Sequence, residues 1–476
     1  MRVLVTGATG YIGGRLVPRL REQGYDVRCF SRAAERLRGR FDPQVEIVEG
    51  DLSDEAALAH ALRGCDAAYY LIHSMSSTTA FAQADRLAAR RFGDAARTAG
   101  VGTIVYLGGL GSDGDALSTH LKSRHEVGNI LRESGVRVIE LRAALIIGSG
   151  SISFEMMRYL TERLPLMIAP RWVTTRCQPI AIRDVLAYLI AALELPAGGS
   201  RVYEIGGTDV LTYRDMMLRY AAIRNLRRSI IIVPFFTPQL SSYWVHLVTP
   251  ISARLAQPLI RGLYNEVIVH DRSAAADFPQ IVPIGFDEAV RAALDRSAGA
   301  ETTWFDAFDY RTLPADFAGV KEGMLIDMRV RHARVAPERI AAVFSSLGGA
   351  RGWLFGDALW RLRGWMDRIA GGVGLRRGRR SESDLRAGDA VDFWRVEAYQ
   401  PGRLLRLRAE MKLPGLAWLQ FEAEPSGAAG ATLRQTAFFE PRGLVGFLYW
   451  YGVAIFHAWV FGNLATRIVH EAEKGA

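Results

Sequence analysis

Residues 1–20 of the chain read MRVLVTGATGYIGGRLVPRL, and this stretch decides the fold. It consists of an apolar β-run, a turn with three evenly spaced glycines and the start of a helix. In this pattern the first glycine makes a tight turn, the second lets backbone approach a pyrophosphate, and the third lets helix pack on strand. The anion then lies at the helix N-terminus, where free N–H groups and the helix dipole favour it. The stretch predicts a dinucleotide site built from Gly7, Thr9, Gly10, Tyr11, Ile12 and Gly13.

Length and composition indicate a multidomain globular protein. The chain has 476 residues, of which 49% are hydrophobic and 23% charged. The net charge of +9 is carried mainly by arginine, and we interpret most of it as solvated surface, with no nucleic-acid partner. Cys29, Cys65 and Cys177 are far apart, so neither a disulfide framework nor a metal site is expected. A strand begins at once in place of a targeting segment, which predicts a cytoplasmic protein, with association at the inner face of the membrane as a further expectation.

Strand and helix patterns alternate over the first 220 residues. The predicted strands cover residues 3–5, 26–30, 45–48, 67–72, 103–107, 136–141 and 203–207, with helical patterns between them such as residues 80–99. Such alternation predicts an α/β, Rossmann-like, doubly wound parallel sheet. We therefore expect an NAD(P)-binding domain over residues 1–220. A less regular cap or substrate segment follows over residues 221–298 and packs on that domain.

The composition changes near residue 300. Eight of the ten tryptophans lie from Trp304 onward, and short β-runs joined by Pro-Gly turns replace the earlier alternation. The pattern of strand, Ala-Pro-Glu helix start at residues 336–338, antiparallel strands and long final helix resembles the helix-grip fold of START and polyketide-cyclase-like proteins. The resemblance implies an α+β domain over residues 299–476 with an apolar ligand cavity. The clustered tryptophans suit such a cavity and equally suit a plain core.

The end of the second predicted strand bears on the choice of dinucleotide. An NAD site usually has Asp or Glu there, whereas an NADP site has a cation. Here the strand ends in Ser31-Arg32 without a carboxylate, and Arg36 and Arg38 follow closely. Ser31 and Arg32 can bind a 2′-phosphate, although an Arg32 that merely faces solvent is the alternative. We predict NADP as the cofactor, with NAD as the other option.

Three motifs together carry a family resemblance. They are the glycine turn, Gly50-Asp51-Leu52 after strand three, and Tyr69-Tyr70-Leu71-Ile72-His73-Ser74-Met75. They resemble the short-chain dehydrogenase/reductase superfamily, in its extended and atypical branches. The last phrase is similar to a bacterial subgroup with a C-terminal domain of unknown function. The resemblance implies that Asp51 and Leu52 border the adenine, and that Leu71, Ile72 and His73 line the crevice near the nicotinamide ribose.

The chain departs from this superfamily at its acid–base residue. The family reaction uses a Tyr-x-x-x-Lys pair, and here Lys122 matches while Ser118 stands at the tyrosine position. A serine hydroxyl cannot replace a phenol as general acid. The remaining candidates are His73, His120 and Tyr106, whose alternative roles are a strand cap, an exposed helix residue and a core residue. We predict Lys122 and His73 as the catalytic pair.

Three segments keep alternative interpretations. Residues 148–151, Gly-Ser-Gly-Ser, either close over the nicotinamide or form an ordinary turn. Residues 443–466 carry no charged side chain and are flanked by Arg442 and Arg467, which fits a buried grip helix, a peripheral helix or a membrane anchor. An arginine-rich run at residues 376–380 either contacts anionic lipid or is a solvated loop.

These patterns together predict an atypical NADP-binding reductase that acts on an unknown apolar substrate delivered through the C-terminal cavity. The lost tyrosine keeps a second hypothesis open, a non-catalytic NADP(H)-binding regulatory or sensor protein. A third is a membrane-associated lipid or quinone handler. The sequence leaves the oligomeric state open.

Overall fold

The computed structural model describes residues 1–32, 34, 37, 41–72, 79–111, 117–233, 262–294, 313–321, 324–369, 372, 374, 379, 385–426 and 430–474. The predictions that concern His73, Arg36 and Arg38 lie outside the described residues, as does most of the arginine run at residues 376–380. The chain forms two compact units, Met1–Thr312 and Leu313–Ala476.

The first unit is built on a seven-stranded sheet in which every pairing is parallel. Its strands are β1 (Arg2–Thr6), β2 (Asp26–Ser31), β3 (Glu46–Glu49), β4 (Ala67–Tyr70), β5 (Thr103–Gly109), β6 (Arg137–Ala143) and β11 (Arg201–Ile205). The order β11-β6-β5-β4-β1-β2-β3 reverses direction at β1 and β4, so the C-terminal ends of these two strands flank a crevice. This architecture confirms the Rossmann-like fold predicted from the sequence.

Helices cover both faces of the parallel sheet. They are α1 (Tyr11–Glu22), α2 (Glu55–Leu62), α3 (Thr79–Thr98), α4 (Thr119–Glu133) and α6 (Ile182–Ala191), while α5 (Ile152–Arg163) and α7 (Tyr213–Ile223) pack in a separate cluster through Phe154 and Tyr220. Leu16 of α1 and Val185 of α6 share one buried cluster, while Leu58 of α2, Phe92 of α3 and Leu131 of α4 share another. The strands between the two clusters are buried on both sides, which explains the unbroken apolar run of β1.

Smaller elements complete the first unit. They are strands β7 (Ile146–Ile147), β8 (Leu166–Pro170), β9 (Arg176–Cys177), β10 (Ile180–Ala181), β12 (Leu211–Thr212) and β13 (Ser229–Val233), and helices α8 (Ser273–Asp277) and α9 (Phe286–Leu294). The six strands pair as three two-stranded sheets, β7 with β10, β9 with β12 and β8 with β13. The predicted cap falls partly here, and residues 234–261 of it lie outside the described part.

The second unit is an α+β domain with a seven-stranded antiparallel sheet in the order β14-β15-β20-β19-β18-β17-β16. The strands are β14 (Ala318–Lys321), β15 (Met324–Ala333), β16 (Ala390–Val391), β17 (Trp394–Gln400), β18 (Leu404–Ala409), β19 (Gly415–Ser426) and β20 (Gly430–Pro441). Its helices are α10 (Pro337–Ser345), α11 (Asp357–Ile369) and α12 (Gly443–Lys474). Phe344 of α10 and Leu464 of α12 belong to the buried cluster that also holds Phe421 and Leu433 of the sheet. This confirms the predicted α+β class.

The long final helix is bent. Its two halves, Gly443–Ala454 and Phe456–Lys474, meet at 57°. Among the described residues, no single helix is long and apolar enough to cross a membrane, and only this bent pair reaches the required length and composition.

Candidate cofactor site

Glycine is required at two points of the turn between β1 and α1. Gly7 has a φ of +74°, and a Cβ there would lie 2.6 Å from the carbonyl oxygen of Leu71. A Cβ on Gly13 would overlap the carbonyl oxygen of Gly7. The Gly10 N–H donates to the Gly7 carbonyl oxygen at 2.9 Å and closes the turn. The backbone here accepts no side chain, and the surface beside it stays open for a ligand.

The N-terminus of α1 has the properties of an anion site. Its cap residue is Gly10, which offers no side-chain acceptor, and the first turn contains no acidic residue. The N–H groups at Tyr11, Ile12 and Gly13 lack intrahelical acceptors because they belong to the first turn. A phosphate placed there receives these hydrogen bonds and the favourable end of the helix dipole. The glycine turn therefore fits the pyrophosphate of a dinucleotide.

Thr6 joins the ends of the two strands that flank the crevice. Its hydroxyl donates to the carbonyl oxygen of Tyr69 at 2.8 Å and accepts from the Leu71 N–H at 3.2 Å. Leu71 follows directly after β4. Its carbonyl oxygen would lie 2.6 Å from a Cβ on Gly7, so Leu71 lies against the glycine turn. The predicted crevice residue Leu71 is thus held beside the glycine turn.

The exposed Arg32 follows the end of β2, where the ribose of a bound dinucleotide is expected. The side chain of Arg32 is 82% exposed, and its Nε lies 3.7 Å from the Asp51 carboxylate. Asp51 also accepts from the Ser53 N–H at 2.9 Å and from the Ser53 hydroxyl at 2.7 Å. These hydrogen bonds, and then the Arg32 charge, lower the pKa of Asp51 below its ordinary value. Ser31 and Leu52 lie beside this pair, so the predicted adenosine residues form one group.

Ser118 and Lys122 occupy the first turn of α4. The Ser118 hydroxyl caps the helix by accepting from the Leu121 N–H at 3.4 Å, and the Ser118 N–H donates to Asn265 Oδ1 at 3.0 Å. Lys122 is exposed one turn further along. The structure therefore gives Ser118 a helix-capping role and leaves the Lys122 ammonium accessible to a ligand.

The two proton-donor candidates among the described residues, His120 and Tyr106, are not suited to act as a general acid. Burial, and then the charge of Arg124, lower the pKa of His120 to about 3, and Arg124 Nε donates to His120 Nε2 at 3.2 Å. His120 is therefore a neutral acceptor at neutral pH. Burial raises the pKa of Tyr106, whose hydroxyl donates to the Arg124 carbonyl oxygen at 3.0 Å. Tyr106 is a core residue, in line with its alternative interpretation.

The loop at residues 148–151 is attached to α1. The Arg15 guanidinium lies 4.1 Å from the centre of the Tyr11 ring and donates to the Ser149 carbonyl oxygen at 2.9 Å. A Cβ on Gly148 would overlap the Tyr11 hydroxyl, so this position also requires glycine. Sequence reasoning missed Arg15, although its place one turn after Tyr11 was a usable signal. The loop thus borders the same crevice as the glycine turn.

Gln178 holds a further segment beside the C-terminal ends of the strands. Its Nε2 donates to the Gly207 carbonyl oxygen at 2.7 Å, and its Oε1 accepts from the Val269 N–H at 2.9 Å. Together with the Asn265 contact to Ser118, this places residues 265–269 near the crevice. Within the described part of the chain, no group of three or more His, Cys, Asp or Glu residues is arranged to hold a metal.

Comparison with known proteins agrees with this geometry. Residues 7–150 match a family model described as NAD(P)H-binding, and residues 321–464 match one described as a protein of unknown function, DUF2867. The first unit therefore contains an NAD(P)H-binding domain with a Rossmann-like fold. The second unit contains a DUF2867 domain.

Two of the curated relatives are reductases by name. (4-Alkanoyl-5-oxo-2,5-dihydrofuran-3-yl)methyl phosphate reductase of Streptomyces griseus subsp. griseus is 29% identical over 228 residues, which are 46% of this chain and 73% of the relative. Ceramide reductase of Caulobacter vibrioides is 26% identical over 234 residues, 49% of this chain and 73% of the relative. Each relative is thus similar to this chain over about half of this chain's length.

A solved structure shows the same fold. Triphenylmethane reductase of Citrobacter sp., complexed with NADP(H), matches with a TM-score of 0.50 at 17% identity, over 62% of this chain and 100% of that one. At this identity the likeness concerns the fold alone.

Proposed function

We propose that the protein is an NADPH-dependent oxidoreductase that reduces an apolar carbonyl substrate. The observation that carries the proposal is the open glycine turn of Gly7 and Gly13 with the exposed Arg32 at the end of β2. When bound, NADPH supplies a hydride to the carbonyl carbon. Lys122 binds the cofactor ribose, and the carbonyl oxygen takes a proton from a protein group or from water.

The preference for NADPH over NADH rests on charge. At the end of β2, Ser31-Arg32 provides a hydroxyl and a guanidinium, and the nearest carboxylate, Asp51, is held by Ser53. An arginine binds a phosphate with several N–H donors at once. NADH lacks the 2′-phosphate and so lacks this interaction, which leaves it as the weaker cofactor.

The proton route differs from that of the superfamily. Ser118 caps α4, His120 is neutral, and Tyr106 is buried, so none of these three acts as the general acid. We propose His73 as the donor from its position in the sequence, two residues after Leu71. A His73→Gln variant is expected to bind NADPH normally while turnover falls about tenfold to a hundredfold.

Two observations support an apolar substrate. The names of both curated relatives include an acyl or lipid group, an alkanoyl chain in one and ceramide in the other. In the second unit, α10 and α12 pack on one face of an antiparallel sheet, an arrangement that fits the START-like, helix-grip cavity proposed from the sequence. We propose that this domain binds an apolar ligand.

A non-catalytic NADP(H) sensor is the second candidate. The observation in its favour is the use of Ser118 as a helix cap at the position of the catalytic tyrosine. A sensor binds NADPH through the same glycine turn and needs no proton donor. For either function we propose a cytoplasmic setting, a small-molecule ligand and no nucleic-acid partner.

One experiment separates the two candidates. The full-length protein is incubated with NADPH deuterated at the transferable position and with long-chain aldehydes, ketones and quinones, and the products are analysed by mass spectrometry. The oxidoreductase transfers deuterium to one of these classes, with equal formation of NADP⁺. Tight NADPH binding without deuterium transfer to any class contradicts the oxidoreductase and favours the sensor.

A further inference from the structure

Helix α11 exposes an apolar stripe. Leu362, Trp365, Met366 and Ile369 stand at positions i, i+3, i+4 and i+7 and therefore share one side of the helix. Trp365 is 59% exposed and Ile369 is 68% exposed. A helix in a water-soluble domain normally turns such a stripe toward the core. Here the stripe faces outward.

Helix α12 exposes a second stripe of the same kind. Val445, Leu448, Phe456 and Trp459 recur at intervals of three, eight and three residues, and Val445 and Leu448 are 66% and 63% exposed. The opposite side of the helix is buried, with Trp450 at 5.6 Å from Phe439 between ring centroids. Residues 443–466 contain no charged side chain, so no charge interrupts the exposed side.

The two stripes lie on adjacent helices. The Arg363 guanidinium of α11 lies 5.2 Å from the ring centre of Tyr449 on α12. Phe355, just before α11, contacts Trp459 edge-on at 5.0 Å between ring centroids. We refer to Leu362, Trp365, Met366, Ile369, Val445, Leu448, Phe456 and Trp459 as the α11–α12 surface. Monomeric proteins rarely expose so many large apolar side chains together without a partner.

Exposed arginines flank this surface. Arg361 and Arg368 are exposed at the edge of α11. Both acidic residues of α11 are bound to backbone. Asp357 accepts from the Trp353 N–H at 2.8 Å, and the buried Asp367 accepts from the N–H groups of Gly374 and Lys412, each at 2.8 Å. Within the described part of the chain, the surface thus combines apolar and aromatic side chains with exposed arginines.

Helix α12 cannot leave the domain to cross a bilayer without losing its core contacts. Leu464 and Ile468, in its second half, are fully buried in the cluster of the second unit. The two halves of α12 meet at 57°, and each half has buried side chains on one side and exposed apolar side chains on the other. A helix that exposes an apolar, aromatic side in this way is suited to lie along a membrane interface.

We propose that the α11–α12 surface docks on a membrane that contains anionic lipid. The apolar side chains enter the boundary between headgroups and acyl chains, Trp365 and Trp459 lie at the headgroup level, and the flanking arginines pair with lipid phosphates. Charge complementarity and the unbroken apolar side of α12 select this occupant. The docking surface belongs to the second unit and does not depend on the function proposed for the first.

Vesicle flotation of the full-length protein tests this inference. Neutral phosphatidylcholine vesicles are compared with vesicles that also contain phosphatidylglycerol. The wild type is expected to float with the anionic vesicles, and added salt is expected to weaken the arginine contribution. A Trp365→Ser/Leu448→Ser variant is expected to bind about tenfold or more weakly, since each apolar group buried in the interface contributes to binding. Arg361→Gln/Arg368→Gln is expected to reduce only the anionic preference.

The matched control is Val282→Ser, which removes a side chain that is 76% exposed elsewhere in the chain. It is expected to bind vesicles as the wild type does. Circular dichroism and NADPH binding establish that each variant is folded, and NADPH binding also tests the first unit separately. A wild type that stays with the soluble fraction at both lipid compositions overturns the inference. So does a wild-type dimer that Trp365→Ser/Leu448→Ser dissociates, because the surface then joins two copies.

Discussion

Ser118 and Lys122 stand one helical turn apart at the start of α4, with the Lys122 N–H donating to the Ser118 carbonyl oxygen at 2.9 Å. This is the spacing of a Tyr-x-x-x-Lys pair in which the phenol is replaced by a helix cap. The lysine keeps its exposed position, while the serine hydroxyl accepts from the Leu121 N–H. Ser118 therefore stabilises the helix, and we propose that Lys122 binds the cofactor.

Lys122→Met is expected to weaken NADPH binding about tenfold, because it removes a cation that binds the ribose. Its effect on stability is expected to be small, since Lys122 is exposed. Isothermal titration calorimetry and thermal unfolding measure the two quantities. Ser118→Ala is the control, with about 1 kcal/mol of lost stability from the missing cap and unchanged NADPH affinity. Loss of NADPH affinity in Ser118→Ala would show that the serine touches the cofactor.

Asp51→Asn is expected to tighten NADPH binding by about twofold to fivefold. The substitution removes a carboxylate whose oxygen lies 3.7 Å from Arg32, and exposed pairs of this kind contribute little by themselves. NADH affinity is expected to stay the same, because NADH carries no 2′-phosphate. Fluorescence titrations with both nucleotides make the comparison. Weaker binding of both nucleotides in Asp51→Asn would mean that the carboxylate contacts the adenosine directly.

Gly13→Ala is expected to abolish NADPH binding, because its Cβ would overlap the Gly7 carbonyl oxygen and push the turn apart. Gly198→Ala is the matched control, since a Cβ at Gly198 meets no atom within 4 Å. Calorimetric titration of both variants, with circular dichroism as the test of folding, gives the result. Equal NADPH affinity in the two variants would contradict the assignment of the glycine turn as the phosphate site.

Stability at acid pH is expected to depend on His120. Its pKa is lowered to about 3 in the folded chain, mainly by burial, whereas an unfolded histidine titrates near 6.5. The unfolded state therefore binds more protons between these values. The contribution of neutral His120 to the free energy of unfolding is complete above about pH 6.5. It is lost as the pH falls toward 3, by up to about 1.4 kcal/mol per pH unit.

His120→Gln is expected to reduce this acid loss, because glutamine can still accept from Arg124 and takes up no proton. Urea unfolding at a series of pH values, followed for the first unit, measures the slope. His60→Gln, at an exposed position on α2, serves as the control and is expected to keep the wild-type slope. An unchanged slope in His120→Gln would show that His120 is charged in the folded chain.

The architecture of the first unit could be predicted because its signals are local. The glycine turn, the apolar run of β1 and the regular return of strand patterns each need only a few neighbouring residues. Two strand boundaries differ slightly between prediction and structure. The fourth strand ends at Tyr70, before its predicted end, and the sixth extends beyond its predicted end to Ala143. In the second unit the chain turns between β16 and β17 at Asp392, whose φ of +53° is not revealed by sequence patterns.

The contacts that shape the candidate site could not be predicted in the same way. Arg15 reaches Ser149 across 134 residues, and Asn265 reaches Ser118 across 147. Neither pair is marked by spacing, because the fold alone brings them together. The low pKa of His120 likewise follows from burial beside Arg124, which depends on packing. By contrast, Arg32 was predicted from its place at the end of β2, and Asp51 was implied by the family resemblance of Gly50-Asp51-Leu52 after β3.

The proposed NADPH preference is tested most directly by the affinities of the wild type and of Arg32→Glu for NADPH and NADH, measured by calorimetry. We expect the wild type to bind NADPH at least about tenfold more tightly than NADH, and Arg32→Glu to reverse this order. Arg19→Gln, which changes another exposed arginine on α1, is the control and should preserve the wild-type order. Equal affinity of the wild type for the two nucleotides, or an unchanged preference in Arg32→Glu, would contradict the account.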